Sequence, residues 1–363
     1  MRRVSHSPLA VPFVVGLVQW IAWTCTSYAQ WTAISLHPEG VNSSSLSGIK
    51  GGQPSGVILS HPQFGSPRAA IWSGLTSAYV ELAPQASFSS VRAAATGTQA
   101  GYAYIGGDVR ASVWHGTAGS RVDLHPEMAF SSQVYGTDGA QQVGFASIPT
   151  TDKAALWTGS AESFVNLNPA NASASFAMGV QNGEQGGAAF IAGRWEAGMW
   201  SGTAASWRSL HPVGWQSSQI SDMHNGEQVG RVGGGLYRAS LWRGTAGSWV
   251  NLEPPEARDS EANAVYDGQQ VGWIIGTSGS LRASLWHGTA ASWIDLHAVL
   301  PAGYSSSTAE DIWHDDEHTY VAGEAHNESL NRREAYVWIG PVPCPSAVSV
   351  LGIGLVAVLR YRR

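Results

Sequence analysis

One tryptophan position recurs through the chain at a nearly constant interval. Successive members lie 42 to 44 residues apart, except for a last step of 52, and they are Trp72, Trp114, Trp157, Trp200, Trp242, Trp286 and Trp338. The surrounding sequence repeats as well, since residues 238–252 are nearly restated by residues 282–296. Such self-similarity is typical of repeat architectures, in which each repeat is one supersecondary unit. The series therefore predicts seven tandem units.

Each unit carries the signals of four short strands. In the sixth unit the predicted strands are residues 262–266, 270–275, 282–287 and 293–296. The first two strands are joined by a dipeptide that suits a type I′ turn, which needs a positive φ at both central positions. Dipeptides of this kind are Asp138-Gly139, Asn182-Gly183, Asn225-Gly226 and Asp267-Gly268. No segment has a convincing helical period, and the 43 glycines suit frequent tight turns.

Four strands at this period match one blade of a β-propeller. A single blade cannot bury both of its faces, so it stacks against its neighbours around a common axis. The predicted fold class is therefore all-β, a seven-bladed β-propeller of four-stranded blades over residues 30–340. The recurring tryptophans would then fill the spaces between blades as core residues, and would not form a ligand platform.

The two ends of the repeat region are complementary. The last unit stops in its third strand, at Trp338, whereas the region opens with residues 31–38, which resemble the fourth strand at residues 207–212. We therefore expect residues 30–36 to complete the last blade and to close the ring. An open ring would leave unpaired strand edges exposed.

The first 29 residues have the pattern of a secretory signal peptide. Arg2 and Arg3 precede an apolar stretch at residues 9–23, and Ser27 and Ala29 supply small residues before a cut after Ala29. The apolar stretch is shorter than the ~20 residues that a membrane span needs. We predict that residues 1–29 are removed and that the remainder is secreted or displayed at the cell surface.

Residues 341–363 are predicted to form a C-terminal tail outside the fold. Pro343, Cys344 and Pro345 precede the apolar residues 347–359 and an arginine-rich end. This pattern resembles the PEP-CTERM sorting signal of bacteria, with Cys344 in the place of the glutamate of the Pro-Glu-Pro motif. The resemblance implies a cell-surface sorting tail, and the alternative is a plain membrane anchor whose arginines stay cytoplasmic. In both cases the protein contacts the membrane through this tail alone.

Charge and cysteine usage exclude further classes. The terminal segments hold five of the 20 basic residues and no acidic one, so the region between them carries 26 − 15 = 11 net negative charges. Lys50 and Lys153 are the only lysines. Nucleic acid is not an expected partner, because no basic patch for phosphates is present in the sequence. Cys25 and Cys344 lie in the terminal segments, so no disulfide is expected in the propeller.

The repeat resembles the HAF family of bacterial extracellular repeats, in which Ala-x-x-Trp-x-x-Gly, Asp-Leu and Gly-Gln-Val-Val-Gly recur. The sixth unit carries these motifs at residues 283–288, 295–296 and 268–272. The resemblance covers residues 31–340 and implies an exported repeat protein with no established chemistry. Function must therefore be argued from a site.

Histidines follow the fourth-strand leucine in four units. They are His37, His125, His211 and His297, and the other units have Ala83, Asn168 and Glu253. A metal ion would need three or four such ligands within about 2.1 Å. We expect the histidines to alternate with other residues around the ring, so that none has a histidine neighbour in the adjacent blade. A polar loop that ends in proline is the favoured interpretation.

The seventh unit is the irregular one. Its oxygen and imidazole groups could hold Ca²⁺ or a transition metal, and they are His314, Asp315, Asp316, Glu317 and His318, followed by Glu324, His326, Asn327 and Glu328. Residues 314–318 align with the hairpin turn of the sixth unit, where polar residues are expected in any case. We keep His314, Asp315, Asp316 and His318 as candidate metal ligands, but we expect no bound metal and no cofactor.

The sequence contains no recognised catalytic motif, neither Gly-x-Ser-x-Gly nor His-Glu-x-x-His. The leading hypothesis is an exported, monomeric binding scaffold at the cell surface or in the matrix, with an envelope polysaccharide or protein as partner. The alternative is an extracellular propeller enzyme that acts on carbohydrate through acids such as Asp311, Asp315 or Glu324. An enzyme should break the repeat symmetry in the channel with converging charges, and the sequence indicates a break in the seventh unit alone.

Overall fold

A computed structural model describes residues 30–59 and 65–342 and shows a ring of seven antiparallel, four-stranded sheets. The predicted all-β, seven-bladed fold is confirmed. The first strands of blades 1 to 7 surround the central channel and are Ser43–Gly48, Ser89–Ala95, Ser132–Thr137, Ala172–Gln181, Ser217–His224, Asp259–Tyr266 and Tyr304–His314. The second strands are Ser55–Leu59, Thr98–Ile105, Gln142–Ser147, Glu184–Ile191, Glu227–Gly233, Gln269–Ile275 and His318–Asn327.

The outer half of each blade holds two further strands. The third strands are Arg68–Trp72, Asp108–Trp114, Asp152–Trp157, Arg194–Trp200, Tyr237–Trp242, Leu281–Trp286 and Arg332–Pro341. The fourth strands of blades 1 to 6 are Tyr79–Glu81, Val122–Asp123, Val165–Asn166, Arg208–Ser209, Val250–Asn251 and Ile294–Asp295. Helical structure in the described residues is confined to 3₁₀ turns, which are Lys50–Gly52, Ala118–Ser120, Ala161–Ser163, Ala204–Ser206, Ala246–Ser248, Ala290–Ser292 and His297–Val299.

Blade 7 takes its fourth strand from the other end of the propeller sequence. Thr32–Ser35 pairs antiparallel with the third strand of blade 7, so that Ala33 lies opposite Trp338. The next residue, Leu36, then contacts blade 1, because its carbonyl oxygen accepts a hydrogen bond from Trp72 Nε1 at 2.9 Å. The ring is therefore closed as the complementary ends predict.

All seven recurring tryptophans are completely buried. Trp338 of blade 7 packs against Val271 and Leu285 of blade 6, and its Nε1 donates to the carbonyl oxygen of Leu296 at 2.9 Å. The tryptophans are thus core residues that fill the seams, a term used below for the interfaces between neighbouring blades.

Every first strand contains a β-bulge beside the channel. In blade 6 the register shifts between Ala262 and Ala264, which leaves Asn263 as the extra residue. Gly272 of the second strand lies opposite Ala262, and a Cβ there would come within 2.0 Å of the Glu261 carbonyl oxygen. Glycine fills this position in every blade, as Gly56, Gly101, Gly144, Gly187, Gly230, Gly272 and Gly323. The last glycine of the repeated Gly-Gln-Gln-Val-Gly motif is therefore required by the bulge.

Three of the four predicted type I′ turns have the expected backbone. Asn182, Asn225 and Asp267 have φ of 53°, 47° and 43°, and the glycine after each also has a positive φ. The prediction is wrong at Asp138, because the pairing of Thr137 with Gln142 leaves a four-residue turn. The Asp138 carboxylate stabilises this longer turn by accepting two of its backbone N–H groups.

The predicted terminal segments lie largely outside the described residues. This applies to the signal peptide at residues 1–29 and to residues 343–363 of the tail. The third strand of blade 7 extends to Pro341, one residue beyond the predicted end of the propeller. Within the described part of the chain, no helix is long and apolar enough to cross a membrane.

Candidate functional site

The bulges direct one side chain from every blade toward the channel axis. These seven residues line one cavity of about 260 Å³, here called the central cavity, and they are Ser47, Arg92, Tyr135, Met178, Ser221, Asn263 and Glu310. The seam tryptophans are the same in all blades, whereas the residues at the bulge range from arginine through methionine to glutamate. The blades therefore differ chemically where they meet at the axis.

Two aspartates break the pattern at the residue that follows the bulge. Five blades have a small residue there, namely Gly48, Ala93, Gly136, Gly179 and Ala264. Blades 5 and 7 have Asp222 and Asp311. Asp222 Oδ2 accepts the N–H of Val265 at 3.0 Å, and Asp311 Oδ2 accepts the N–H of Ile49 at 2.8 Å. Each carboxylate thus joins its own first strand to that of the next blade.

Lys50 reaches into the channel from the end of the first strand of blade 1. Its Nζ lies 2.8 Å from Asp311 Oδ1, donates to the carbonyl oxygen of Ile312 at 2.7 Å and lies 5.0 Å from the centre of the Tyr266 ring. Burial by itself lowers the pKa of Lys50, but the carboxylates of Asp311 and Asp222 outweigh burial and leave the pKa raised. Lys50 is therefore a fixed positive charge.

Four carboxyl groups line the central cavity, those of Asp222, Glu261, Glu310 and Asp311. Two of them pair directly with a cation: Asp311 with Lys50, and Glu261 with Arg231, whose Nη1 lies 2.9 Å from Glu261 Oε2. Among the described residues no cation forms an ion pair with Asp222 or Glu310. The acidic side of the cavity, formed by blades 5 to 7, thus carries more carboxyl groups than paired cations.

The pKa values of the acids follow from this arrangement. Burial raises the pKa of Asp222 to about 6, although Lys50 opposes the shift. Burial, reinforced by the nearby carboxylates of Glu324 and Glu261, raises the pKa of Glu310 to about 7, although the Arg92 guanidinium opposes the shift. The amide of Asn263 donates to Glu310 Oε2 at 3.2 Å and brings no charge. Glu310 therefore exchanges its proton near neutral pH.

The opposite wall of the central cavity has one charged group, the Arg92 guanidinium, beside two uncharged side chains. Blades 3 and 4 contribute Tyr135 and Met178. Tyr135 packs against Phe145, with ring centres 5.6 Å apart, and burial raises the pKa of its hydroxyl. From blade 2, the guanidinium of Arg92 lies 5.6 Å from the centre of the Tyr102 ring. An aromatic ring, a thioether and one guanidinium therefore face the acidic side.

A second cavity of about 270 Å³ lies at the end of the channel that carries the hairpin turns, and it shares Lys50 and Asp222 with the central cavity. Its lining includes His224, Tyr266 and Trp313. The rings of His224 and Tyr266 are stacked, with centres 4.3 Å apart. This turn-side cavity therefore combines three aromatic or imidazole rings with the charges of Lys50, Asp138 and Asp222.

Asp267 organises the rim of the turn-side cavity. One carboxylate oxygen lies 3.0 Å from His224 Nε2, and the other lies 3.2 Å from His314 Nε2. Gln181 Nε2 donates to His224 Nδ1 at 2.9 Å, so His224 carries its proton on Nε2 and donates it to Asp267. The carboxylate thereby connects blades 5, 6 and 7.

The candidate metal ligands of the seventh unit do not converge. His314 Nδ1 lies 3.0 Å from the carbonyl oxygen of Asp315, and His314 Nε2 faces Asp267. Asp315 Oδ1 accepts the backbone N–H groups of Glu317 and His318, while Asp316 and the His318 side chain are exposed. Within residues 30–59 and 65–342, no group of three or more His, Cys, Asp or Glu is placed to hold a metal ion.

The acids named for an enzyme also separate. Asp311 lines the central cavity, whereas Asp315 stabilises a turn and Glu324 pairs with Arg333 at 3.2 Å. Further along the second strand of blade 7, Asn327 donates to Glu334 Oε1 at 3.3 Å. Asp311 is thus the one acid of the three that faces the cavity.

The histidines after the fourth strands lie at the seams. Each binds a serine hydroxyl of the next first strand through Nδ1, at 2.7 to 2.8 Å, and the pairs are His37–Ser44, His125–Ser132, His211–Ser218 and His297–Ser307. Asn168 and Glu253 accept a serine hydroxyl in the same way. The expected alternation is wrong at one seam, because His297 and His37 belong to the adjacent blades 6 and 7. Each histidine nevertheless has its own serine.

The seam hydrogen bonds fix the protonation of these histidines. Ser218 Oγ accepts the N–H of Ala197 at 2.8 Å, so its hydroxyl hydrogen is available to His211 Nδ1. His211 Nε2 then donates to the carbonyl oxygen of Trp215 at 3.0 Å. The imidazole is neutral in this arrangement, and burial lowers the pKa of all four seam histidines. All seven seams contain the alanine N–H to serine bond.

Sequence reasoning placed the break in symmetry in the seventh unit alone, and the structure corrects this. Charged residues also enter the central cavity from Lys50 of blade 1, Arg92 of blade 2, Asp222 of blade 5 and Glu261 of blade 6. Two signals in the repeat alignment could have identified them. Asp222 and Asp311 replace glycine or alanine, and Lys50 is one of only two lysines.

Comparison with known proteins supports the fold. No known family model matches the chain, and no curated protein sequence matches it. Among solved structures, puromycin hydrolase aligns with 84% of this chain at 12% identity and a TM-score of 0.54, and the chain spans 56% of its length. The β-propeller domain of the Trilobed protease from Pyrococcus furiosus aligns over 84% of this chain and 99% of its own length, at 11% identity and a TM-score of 0.54. At such identity the likeness concerns the propeller fold alone.

Proposed function

We propose that the chain is an exported propeller that binds a polar ligand in its central channel, and that this ligand is the end of an envelope polysaccharide. The concentration of charge carries the proposal. Only 13% of the residues are charged, yet six charged side chains from five blades line a cavity of about 260 Å³. Burying charged groups costs free energy and the repeated core does not require them. Lys50, Asp222 and Asp311 also hold neighbouring blades together. Arg92 and Glu310, in contrast, form no ion pair among the described residues, and ligand binding accounts for their presence.

The lining of the central cavity suits a sugar. Carboxylates, the Arg92 guanidinium and the Asn263 amide offer both acceptors and donors to sugar hydroxyls. Tyr135 and Met178 offer apolar surface for the face of a sugar ring. Export is part of the proposal, and the signal-peptide pattern of residues 1–29 and the tail pattern of residues 341–363 support it.

Calorimetric titration of the full chain with purified envelope polysaccharides and their oligosaccharide fragments tests this function. We expect one site per chain, with binding weakened about ten-fold by Arg92→Ala or Asn263→Ala, the loss of roughly one or two good hydrogen bonds. Arg208→Ala, an exposed arginine outside the channel, is the matched control and should bind normally. Binding that is equally strong in the channel variants would disprove the proposal.

Glu310 favours carbohydrate hydrolysis as the second candidate function. A carboxylic acid whose pKa is raised to about 7 suits a general acid at neutral pH. The assay is the release of new reducing ends from the bound polysaccharide at about pH 6 to 7. Hydrolysis abolished by Glu310→Gln supports an enzyme, whereas binding without release supports a binding protein.

A further inference from the structure

Some charged side chains around the central cavity form ion pairs and others do not. Lys50 is held by Asp311, and Arg231 is held by Glu261. Glu310 receives a hydrogen bond from the uncharged amide of Asn263, and no ion pair of Glu310 exists among the described residues. The carboxyl group of Glu310 therefore faces the cavity without an ion pair, and the Arg92 guanidinium of the same cavity influences it only from a distance. Asp222 also lacks an ion pair but accepts the N–H of Val265, whereas Glu261 and Asp311 are paired with cations.

We propose that the ligand of the channel carries a primary amine, as an amino sugar does, and that Glu310 binds its ammonium group. The inference rests on the proposed channel function and narrows its ligand class. The ammonium would lie between the acidic side formed by blades 5 to 7 and the wall formed by Tyr135 and Met178.

The chemistry of both walls fits an ammonium group. Its three N–H donors match carboxylate oxygens, and an ammonium–carboxylate hydrogen bond is stronger than one between neutral groups. The face of an aromatic ring attracts a cation within about 6 Å, and Tyr135 offers such a ring on the opposite wall. A ligand carboxylate would be repelled by Glu310 and could be bound only at Arg92, on the other side of the cavity.

A metal ion fits this cavity less well. Glu261 and Asp311 already hold Arg231 and Lys50, and the described residues contain no group of three metal-ligating side chains. An organic cation needs one carboxylate and an apolar contact. The arrangement around Glu310 supplies both.

Binding of an ammonium group should also release a proton from Glu310. Burial and the nearby carboxylates hold a proton on part of the Glu310 population near neutral pH. A bound cation stabilises the ionised carboxylate, so binding drives that proton into the buffer. A neutral ligand has no such effect on Glu310.

The test uses the full chain and two oligosaccharides that differ in one group, the β-1,4-linked tetramer of glucosamine and its fully N-acetylated counterpart. Titration calorimetry at about pH 6 and about 0.15 M salt measures affinity, because the ligand amine is charged at this pH while Glu310, whose pKa is raised to about 7, still carries its proton. Buffers of different ionisation enthalpy report proton release. We expect the free amine to bind about ten-fold more tightly than the acetylated tetramer. We also expect it to release protons.

Two variants that remove the same charge identify the site. Glu310→Gln should abolish the preference for the amine and the proton release. Glu127→Gln alters an exposed acid outside the cavity and should leave both unchanged. If both variants lost the preference for the amine and the proton release equally, the cause would be general attraction by an acidic protein. That result would overturn the inference.

The remaining outcomes separate this inference from the proposed function. If both tetramers bind equally and Asn263→Ala weakens both, the channel binds sugar and the amine inference fails. If only a lysine-rich peptide binds with dependence on Glu310, the partner is a protein and the amino-sugar inference fails. If no polysaccharide or tetramer binds, the proposed function fails as well.

Discussion

Lys50 Nζ lies 2.8 Å from Asp311 Oδ1 across the seam between the first and the last blade. The other oxygen of the same carboxylate accepts the N–H of Ile49. One ion pair with its backbone hydrogen bond therefore reinforces the seam at which the ring closes. The ion pair lies on the channel side, while Thr32–Ser35 closes the ring on the outer side.

Lys50→Met should destabilise the propeller by about 2–3 kcal/mol. Breaking a buried ion pair costs about 3–5 kcal/mol because the remaining charge is left unpaired, and we reduce this value because 22% of the Lys50 side chain is exposed. Urea unfolding followed by tryptophan fluorescence measures the change. Lys153→Met is the matched control, since the partly buried Lys153 donates to a backbone carbonyl oxygen and forms no ion pair among the described residues. This substitution should cost at most about 0.5 kcal/mol. Equal effects of the two substitutions would show that the seam ion pair adds no stability.

Deletion of residues 30–38 should open the ring. The third strand of blade 7 then loses its partner, and an unpaired strand edge promotes association. We expect the melting temperature to fall by at least about 5 °C, together with oligomers in size-exclusion chromatography. A monomer that melts at the original temperature would contradict the role of this strand in closure.

Gly144→Ala should destabilise blade 3 by about 2–4 kcal/mol. The new Cβ would lie 1.9 Å from the Gln133 carbonyl oxygen, so the bulge would have to shift. Gly247→Ala is the control, because no atom lies within 4 Å of a Cβ built there. Thermal unfolding of the two variants distinguishes a requirement for close approach from a general effect of replacing glycine. Similar melting temperatures would rule the requirement out.

His211→Asn should leave the stability of the protein unchanged at pH 8. As the pH falls, the variant should lose less stability than the original protein. Unfolded histidine has a pKa of about 6.5, and burial lowers the pKa of the folded seam histidine. The unfolded state therefore binds more protons, and the stability present above about pH 6.5 is lost as the pH falls through the folded pKa. Asparagine already accepts the serine hydroxyl at Asn168 and cannot be protonated.

The pH experiment compares the difference between the two proteins at each pH. Asp222 and Glu310 act in the opposite direction, because their raised pKa values stabilise the folded state as the pH falls toward 4. Both proteins share these acids, so the difference isolates the histidine. Parallel stability curves from pH 8 to 5 would mean that His211 has the same pKa in the folded and unfolded states, so that the seam does not hold it neutral.

The sequence predicted the blades and their closure because both depend on period and on matching ends. The tryptophan spacing and the fourth-strand pattern of residues 31–38 can both be recognised in the sequence alone. The turn at Asp138 was mispredicted because its side chain, and not its backbone, stabilises the turn. The type I′ signal describes the backbone alone.

The central cavity could not be predicted in the same way. A regular strand alternates its faces, but the bulge adds a residue and shifts that alternation, so Glu310 and Asp311 both line the cavity. Residues such as Lys50 and Asp311 are 261 positions apart and meet only when the ring closes. Their convergence is a property of the closed ring.

The seam that joins Ala197 to Ser218 requires little of the two blades it connects. One backbone N–H and one hydroxyl suffice, and the residue that receives the hydroxyl hydrogen can be histidine, asparagine or glutamate. The same seam hydrogen bonds can therefore join blades whose other side chains differ. Exchange of one blade segment for another would keep these seam hydrogen bonds while it places a different side chain at the axis, so the ligand preference of such a ring can evolve independently of its architecture.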